Sequence, residues 1–513
     1  MQPLPEHPMP SYSTIAAVDL GSNSFRLQVA KVLEDQIYPL DSLSEKVRLA
    51  GGLTPDKYLD EASQVRALDC LRRFAERIRG LDRHAVRAVG TNTLRVAKNA
   101  AQFVRRAELA LGAPIEVVAG REEARLIYLG VVQSLPSSHA KRLVADIGGG
   151  STEFIIGSGM VPRKLESLYM GCVGHSLRFF TSGKVTKNNL AKAELAARGE
   201  LEVIASEFSA GNWQQAVGSS GTARALAEIL QLNGWGAGDI TPKGLDQLRG
   251  CLLKAGDINS ISLPGLRPDR VPVLLGGFAI MTAIFAELKV KRMTVATGAM
   301  REGILYDLVG RFHHRDLREG TVQQFMQRYH VDGAQAERVE HLALDLFDQV
   351  AGNAKLDVED HAQLLRWAAR LHEVGLAIAH SGFHKHSAYI LRNADMPGFS
   401  RMEQDHLGLL VLGHRGGLKK MQGLLDTPER LLPALALRLA ALFYRSRAGV
   451  TPPDIQLAVA GARVEVALDE GWLAEHPLTA AALETEVAEC KGLGVKMTVT
   501  PIRLSVPRTA AAG

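Results

Sequence analysis

The sequence predicts an α/β protein of several domains: two related three-layer lobes, then an all-α domain and a small α+β domain. Three observations carry this. First, Asp19-Leu20-Gly21-Ser22-Asn23-Ser24 returns as Asp146-Ile147-Gly148-Gly149-Gly150-Ser151-Thr152, each copy set between two apolar runs. Second, residues 14 to about 311 alternate strand and helix signals, the pattern of layered α/β folds whose sites lie at strand ends. Third, helical periodicity takes over from about 312, and strand signals return only beyond Pro452-Pro453. A chain of 513 residues is too long for one core. The expected domains are 14–129, 130–311, 312–447 and 454–507.

In chain order, Ile15–Val18 reads as a strand, the Asp19 turn follows, and Phe25–Val32 reads as the next strand. Val86–Val89 is a strand running into Gly90-Thr91-Asn92-Thr93-Leu94-Arg95. Ile115–Val118 is another, running into Gly120-Arg121-Glu122-Glu123-Ala124 and a helix to Val131. Leu143–Ala145 and Phe154–Gly157 flank the second turn. Ala216-Val217-Gly218-Ser219-Ser220-Gly221-Thr222 enters a helix to Leu230. Val271–Ala286 is uncharged but holds Pro272 and Gly276-Gly277, so it reads as a buried turn and helix, short of the ~20 residues of a membrane span. Val295-Ala296-Thr297-Gly298-Ala299 leads into a helix through Leu308.

Helices are expected over 321–329, 334–350, 361–371, 402–412 and 430–444. The tail carries strand-like runs at 455–459, 464–468, 495–499 and 502–506 around a helix near 480–488.

Apolar content of 46% and charged content of 22% are those of an ordinary globular protein, and a net charge of +5 is a mild hint of an anionic partner. The four cysteines, Cys70, Cys172, Cys251 and Cys490, lie far apart without metal spacing, which suits a reducing compartment. Met1–Ser13 lacks the basic and apolar regions of a signal peptide. The expected location is cytoplasmic, with a peripheral place on the inner membrane face as the alternative.

Asp19 and Asp146 each end a strand and open a small-residue turn. Asp suits turns for its own sake, but two copies in matched contexts argue for a shared task. Carboxylates beside a phosphate suit Mg²⁺. Gly148, Gly149 and Gly150 let backbone approach an anion closely, and consecutive N–H groups form a cradle. Ser22, Asn23, Ser24, Ser151 and Thr152 add donors. Glu153 is a second metal carboxylate or an outward strand residue. Gly218, Ser219, Ser220 and Gly221 open a helix whose N-terminus suits an anion, against plain capping. Arg95 offers a phosphate fork or is a surface cation. Glu122 and Glu123 open a helix, where acids are favoured anyway. Neighbours there point ~100° apart, so one of them can face a cleft and activate water.

Together these motifs, with Gly298-Ala299-Met300-Arg301-Glu302-Gly303, resemble the exopolyphosphatase / guanosine pentaphosphate phosphatase family of the actin-like (ribonuclease H-like) superfamily. The resemblance spans nearly the whole chain. Leu371-His372-Glu373-Val374-Gly375 and His380–Leu391 are similar to the long four-domain bacterial exopolyphosphatases. The resemblance implies Glu123 as base, metal on Asp146 and Glu153 with Asp19 in support, and phosphate contacts from both turns and Arg95. It also makes a homodimer an expectation. The all-α domain is similar to HD phosphohydrolases, but Glu373 stands where they have Asp. Arg311, His313, His314, Arg315 and Arg318, and a loop with His380, His384, Lys385 and His386, are candidates for holding a polyanionic chain, against a solvated face.

The leading expectation is an Mg²⁺-dependent exopolyphosphatase acting on inorganic polyphosphate. The alternative is hydrolysis of guanosine pentaphosphate, or both activities. A monovalent cation is a further candidate without a residue signature. No nucleic-acid partner and no transmembrane segment are expected. A kinase would need an acceptor and an adenosine pocket, for which there is no signature, and Glu123, Asp146 and Glu153 argue against a non-catalytic sensor.

Overall fold

The structure is a computed structural model that describes residues 12–33, 36–136, 138, 140–312, 316–352, 358–447 and 451–502. The chain divides into two units, 1–317 and 318–513.

The first unit opens with β1 (Thr14–Leu20), β2 (Phe25–Leu33), β3 (Gln36–Glu45), α1 (Glu61–Ile78), β4 (Val86–Gly90), α2 (Asn92–Val96), α3 (Ala100–Leu111), β5 (Ile115–Val117) and α4 (Gly120–Gln133). It continues with β6 (Arg142–Ile147), β7 (Thr152–Ser158), β8 (Val161–Leu168), α5 (Cys172–Phe179), α6 (Lys187–Phe208), β9 (Gln215–Ser219), α7 (Ser220–Leu232), α8 (Pro242–Ala255), α9 (Val271–Glu287), β10 (Thr294–Val295) and α10 (Met300–Phe312).

The two sheets have the same topology. Their orders are β3-β2-β1-β4-β5 and, read from the matching edge, β8-β7-β6-β9-β10. In each, the first strand pairs antiparallel with the second and parallel with the fourth. β1 and β6 are therefore central, and their apolar residues are buried on both faces. Side chains alternate across a strand. Ala16, Val18 and Leu20 join the core under α1 and α3, while Ile15 and Ala17 join a second core on the other face. In β6, Leu143, Ala145 and Ile147 join the core with α5, α6 and α9, and Val144 joins that same second core.

This second core is shared by both lobes. It takes Val89 and Ile15 from one sheet, Ile155 and Val217 from the other, and Leu126, Val131, Ile304 and Leu308 from α4 and α10. The helix pair thus lies between the sheets. α4 runs through residue 129, where the sequence reading parts the lobes, because its apolar face is buried by both.

The two helices cross at glycines. A Cβ on Gly303 would lie 1.8 Å from the Leu126 carbonyl oxygen, and one on Gly130 would lie 1.9 Å from that of Ala299. Backbone cannot yield as a flexible side chain does, so Gly303→Ala is expected to cost about 3 kcal/mol. A thermal melt checks this, and an unchanged midpoint would contradict the close crossing. Val271–Ala286, expected as a buried turn and helix, is helical throughout, with Gly276-Gly277 inside α9. α5 packs there so tightly that a Cβ on Gly276 would sit 2.4 Å from the Cys172 carbonyl oxygen.

The second unit holds α11 (Leu317–Arg328), α12 (Gly333–Ala351), α13 (Val358–Leu371), α14 (Phe383–Asn393), α15 (Arg401–Gly413) and α16 (Pro428–Phe443). β11 (Ile455–Ala460), β12 (Arg463–Asp469), α17 (Glu470–Glu475), α18 (Pro477–Lys491) and β13 (Lys496–Ile502) follow. The helical bundle and the three-stranded sheet share one core, in which Val464, Val466 and Leu468 join Leu437, Phe347 and Trp367. The runs expected at 495–499 and 502–506 are one strand as far as Ile502, and 503–506 lie outside the described residues. α14 replaces the loop expected around His384. Among the described residues no helix is long and apolar enough to cross a membrane.

Candidate active site

Asp19 and Asp146 sit at matching ends of β1 and β6, and the strand register shows how their surroundings diverge. Asp19 lies opposite Arg26 on β2, whereas Asp146 lies opposite Glu153 on β7. Both partners follow their aspartate by the same seven positions in the chain. One copy of the duplication therefore sets acid against base, and the other sets acid against acid. Like charges directly opposite are destabilising. The second pair is nevertheless buried, with Asp146 6% and Glu153 1% exposed.

The two turns meet. A Cβ on Gly149 would lie 3.1 Å from the Ser22 Cβ, and one on Gly150 would lie 2.6 Å from the Asn92 side-chain oxygen. Only glycine lets the lobes approach this closely. Between them is a cleft of about 110 Å³ lined by Asp19, Ser22, Asn23, Ser24, Glu123, Asp146, Gly148, Gly149, Ser151, Glu153, Ser220 and Gly221, all expected from sequence. The Asn92 amide nitrogen is buried beside the turn without a hydrogen-bond partner.

Several expected phosphate donors are otherwise engaged. The Gly148 N–H donates to the Ser151 carbonyl (2.9 Å) inside the turn, so Gly149 and Gly150 are the better candidates. The Thr152 hydroxyl is fully buried and donates to the Met170 carbonyl at 2.6 Å. Gly218 is packed between Ala223 and Met293 within β9. Ser219 donates to the Gly298 carbonyl (3.3 Å) and hydrogen-bonds Asp146. Ser220 has φ +73°, in the left-handed region, and its hydroxyl donates to the Ile147 carbonyl at 2.9 Å. A serine strained in this way is held by its side-chain hydrogen bond and turns the chain into α7 at the cleft. Arg95 does not line the cleft. Its Nη1 donates to Glu123 Oε2 (2.6 Å) and to the Val118 carbonyl (3.0 Å). A single guanidinium nitrogen holds the glutamate.

The structure separates the two glutamates that sequence leaves open. Glu122 turns away from the cleft and takes a two-pronged bond from Arg125 (2.8 and 2.7 Å). Glu123 lines the cleft.

Burial pushes Asp19 up to about 7. The Glu123 and Asp146 charges add to this, against the pull of Arg26. Burial likewise lifts Asp146 to about 6, opposed by the Ser219 hydrogen bond and reinforced by Glu123. Glu153 is raised well above its usual range by burial, then by Glu123 and Asp146. Its Oε1 accepts from the Ser167 hydroxyl at 2.9 Å. Among the described residues no group of three His, Cys, Asp or Glu is set to cage a metal. Two facing carboxylates at an open cleft are a different donor set. They fit Mg²⁺, which is held by one or two carboxylates and completes its shell with phosphate oxygens and water.

Sequence reading missed the cationic side of the cleft. Arg26 and Arg270 both line it. The Arg270 guanidinium packs on Gly221, where a Cβ would lie 1.8 Å from Nη2, and its nearest acid, Asp269, is 4.0 Å away. Burial lowers its pKa, and Arg26 is among the charges acting in the same direction. Two arginines lining one cleft, with Asp19 opposite Arg26 and Asp269 at the edge of ion-pair distance from Arg270, suit a bound anion. The matched spacing flags Arg26, but nothing local flags Arg270.

In the second unit, the proposed polyanion residues are scattered in environment. Arg315 and the side chain of Arg311, with His313 and His314, lie outside the described residues. Arg318 is paired with Glu403 and stacks on Trp367 at 4.7 Å, so it is a structural cation. His384 is buried, whereas His380 and Lys385 are exposed and His386 half-buried. His384 instead faces His414, which faces His372, with ring centroids 6.3 and 5.1 Å apart. Glu373, at the place where HD proteins carry Asp, is taken up by Arg447.

A family model for Ppx/GppA phosphatases matches residues 28–312, and one for domain III of the same phosphatases matches 317–487. The chain belongs to the Ppx/GppA phosphatase family. Its members are phosphatases of phosphoanhydride bonds, and the twin-turn cleft is this member's candidate catalytic site. Two curated relatives are named guanosine-5′-triphosphate,3′-diphosphate pyrophosphatase. The one from Aeromonas hydrophila is 37% identical, and the one from Aeromonas salmonicida 36%, each over 95% of this chain and 98% of the relative. A solved exopolyphosphatase from Cytophaga hutchinsonii is 26% identical with a TM-score of 0.52, covering 58% of this chain and 98% of its own.

Proposed function

We propose that this chain hydrolyses the terminal 5′ phosphoanhydride of guanosine pentaphosphate, yielding guanosine tetraphosphate and orthophosphate. What carries this reading over polyphosphate is the name of both relatives that extend over 95% of the chain. It departs from the leading expectation from sequence, which rested on the stretch His380–Leu391.

The cleft supports such a reaction. Glu123 Oε2 is anchored by Arg95, leaving Oε1 to orient a water and take its proton. The water oxygen bonds to the terminal phosphorus, the bond from that phosphorus to the bridging oxygen breaks, and the tetraphosphate leaves with the bridging oxygen. Gly149 and Gly150 donate backbone N–H groups to non-bridging oxygens, and Arg26 and Arg270 hold the neighbouring phosphate. Asp146 and Glu153, with Asp19 in support, would hold Mg²⁺. When bound, the cation supplies charge neutralisation on the phosphate oxygens.

Arg270→Ala is expected to raise KM about tenfold with a smaller change in kcat, since binding of a non-reacting phosphate is lost in ground and transition state alike. Equal KM in the variant would remove Arg270 from the substrate site.

Polyphosphate hydrolysis is the second reading, favoured by the likeness to a solved exopolyphosphatase over 58% of this chain. Purified protein with Mg²⁺ is given guanosine pentaphosphate or long-chain polyphosphate, and products are separated by ion exchange. Preferential conversion of pentaphosphate to tetraphosphate supports the proposal. Phosphate release from polyphosphate alone would transfer the assignment to the second reading.

A further inference from the structure

α4 carries Glu123 in its first turn, yet that turn has no side-chain cap at Ala119. Uncapped helix ends fray, and a general base must be held within hydrogen-bonding reach of its water. Arg95 holds the Glu123 carboxylate itself, and the rotation of the turn that carries it needs a second restraint.

The residue next to Glu123 shows what supplies it. Glu122 is bound through both oxygens by Arg125, one turn further along α4. Arg125 also reaches Asp307 on α10. The other oxygen of Asp307 takes Nη1 of Arg87 from β4, and Arg87 in turn grips Glu116 of β5 at 3.0 Å. Arg87 is 2% exposed, Glu122 4%, Arg125 7% and Asp307 9%. The chain of charges thus ties the first turn of α4 to two strands of the first sheet and to the helix shared by the lobes. Because neighbouring helical residues point ~100° apart, fixing Glu122 against α10 also fixes the direction of Glu123.

We infer that Asp307, through Arg125 and Glu122, is a positioning residue that sets the rotation of α4 and so aims Glu123 at the cleft. It does not line the cleft and acts on the reaction only through Arg125 and Glu122. The inference rests on the reading of Glu123 as the base.

The test uses the full-length protein with Mg²⁺ and guanosine pentaphosphate, and a double-mutant cycle between Asp307→Asn and Glu123→Gln. Asp307→Asn is expected to lower kcat about tenfold or more with KM within twofold. In the Glu123→Gln background it is expected to lower kcat no further. A purely structural role predicts a fall in melting temperature with kcat of the folded fraction unchanged, and that result would overturn the inference. Losses that multiply in the double variant would also overturn it. If Asp307→Asn does not fold, Glu122→Gln serves in its place, since it keeps the shape and removes only the charge held by Arg125. A several-fold loss of kcat supports the inference, and unchanged kcat contradicts it. Full activity of Glu123→Gln alone would remove the premise, a different result from an inert Asp307.

Discussion

Glu123→Gln is expected to fold, to bind guanosine pentaphosphate as the parent does, and to turn it over about 10²-fold or more slowly. The amide keeps the shape and a hydrogen bond to Arg95 but cannot accept the proton that water must lose. The effect should fall on kcat, because the group is used only as the nucleophile forms. Steady-state kinetics with a thermal melt separates this from misfolding. Near-normal turnover would take the base away from Glu123. Glu122→Gln is the natural contrast, for its carboxylate faces Arg125 and can reduce turnover only indirectly.

Acid should unfold the helical unit well before it disturbs an ordinary surface. Burial pushes His384 and His406 down to about 4. Burial and the neighbouring His372 drive His414 well below its usual value, and burial also lowers His372. Each of these two rings bonds a backbone carbonyl through Nδ1, His372 to Ala369 and His414 to Val411, both at 2.6 Å, which favours the charged ring and only partly offsets burial. The folded unit therefore binds fewer protons than the unfolded chain between about pH 6.5 and 4. Stability is fully present above that window and falls as pH drops through it, by several kcal/mol in total as an order of magnitude.

The cleft carboxylates act with the opposite sign. Asp19 and Asp146 prefer to be protonated when folded, so their own contribution to the first unit's stability grows as pH falls from about 7 toward 4, whereas His175, pushed down to about 4 by burial, acts the other way there. Urea titrations of a chain with Trp213 and Trp235 replaced by Phe would report on Trp367 and Trp472 of the second unit alone. The midpoint should be much lower at pH 4.5 than at pH 7.5, and His414→Leu should flatten that difference. Equal midpoints at the two pH values would contradict buried neutral histidines.

The repeated turn was legible because strand, small-residue turn and strand is a local pattern, and each copy folds on its own neighbours. The same spacing made Glu153 legible and, in hindsight, Arg26. Other features are decided by distant chain. Glu122 and Glu123 are told apart only by their partners, Arg125 with the distant Asp307 for one and Arg95 for the other. Arg270 comes from the loop before α9, remote from both turns. The reason for Gly276-Gly277 within an uncharged helical run shows only when α5 is seen pressing on it. α14 was hidden because histidines sit among its apolar positions, and His384 proved to face the interior instead of solvent. The family was plain from the ordered motifs, but choosing a substrate from the short stretch His380–Leu391 favoured polyphosphate, whereas relatives matched along 95% of the chain favour guanosine pentaphosphate.

The most direct test of the central claim is to run the reaction on guanosine pentaphosphate in ¹⁸O-enriched water and weigh both products. Attack on the terminal phosphorus by the water that Glu123 orients predicts one labelled oxygen in each orthophosphate and an unlabelled guanosine tetraphosphate, at a rate that collapses in Glu123→Gln. Label in the tetraphosphate, or a pentaphosphate left intact, would contradict it.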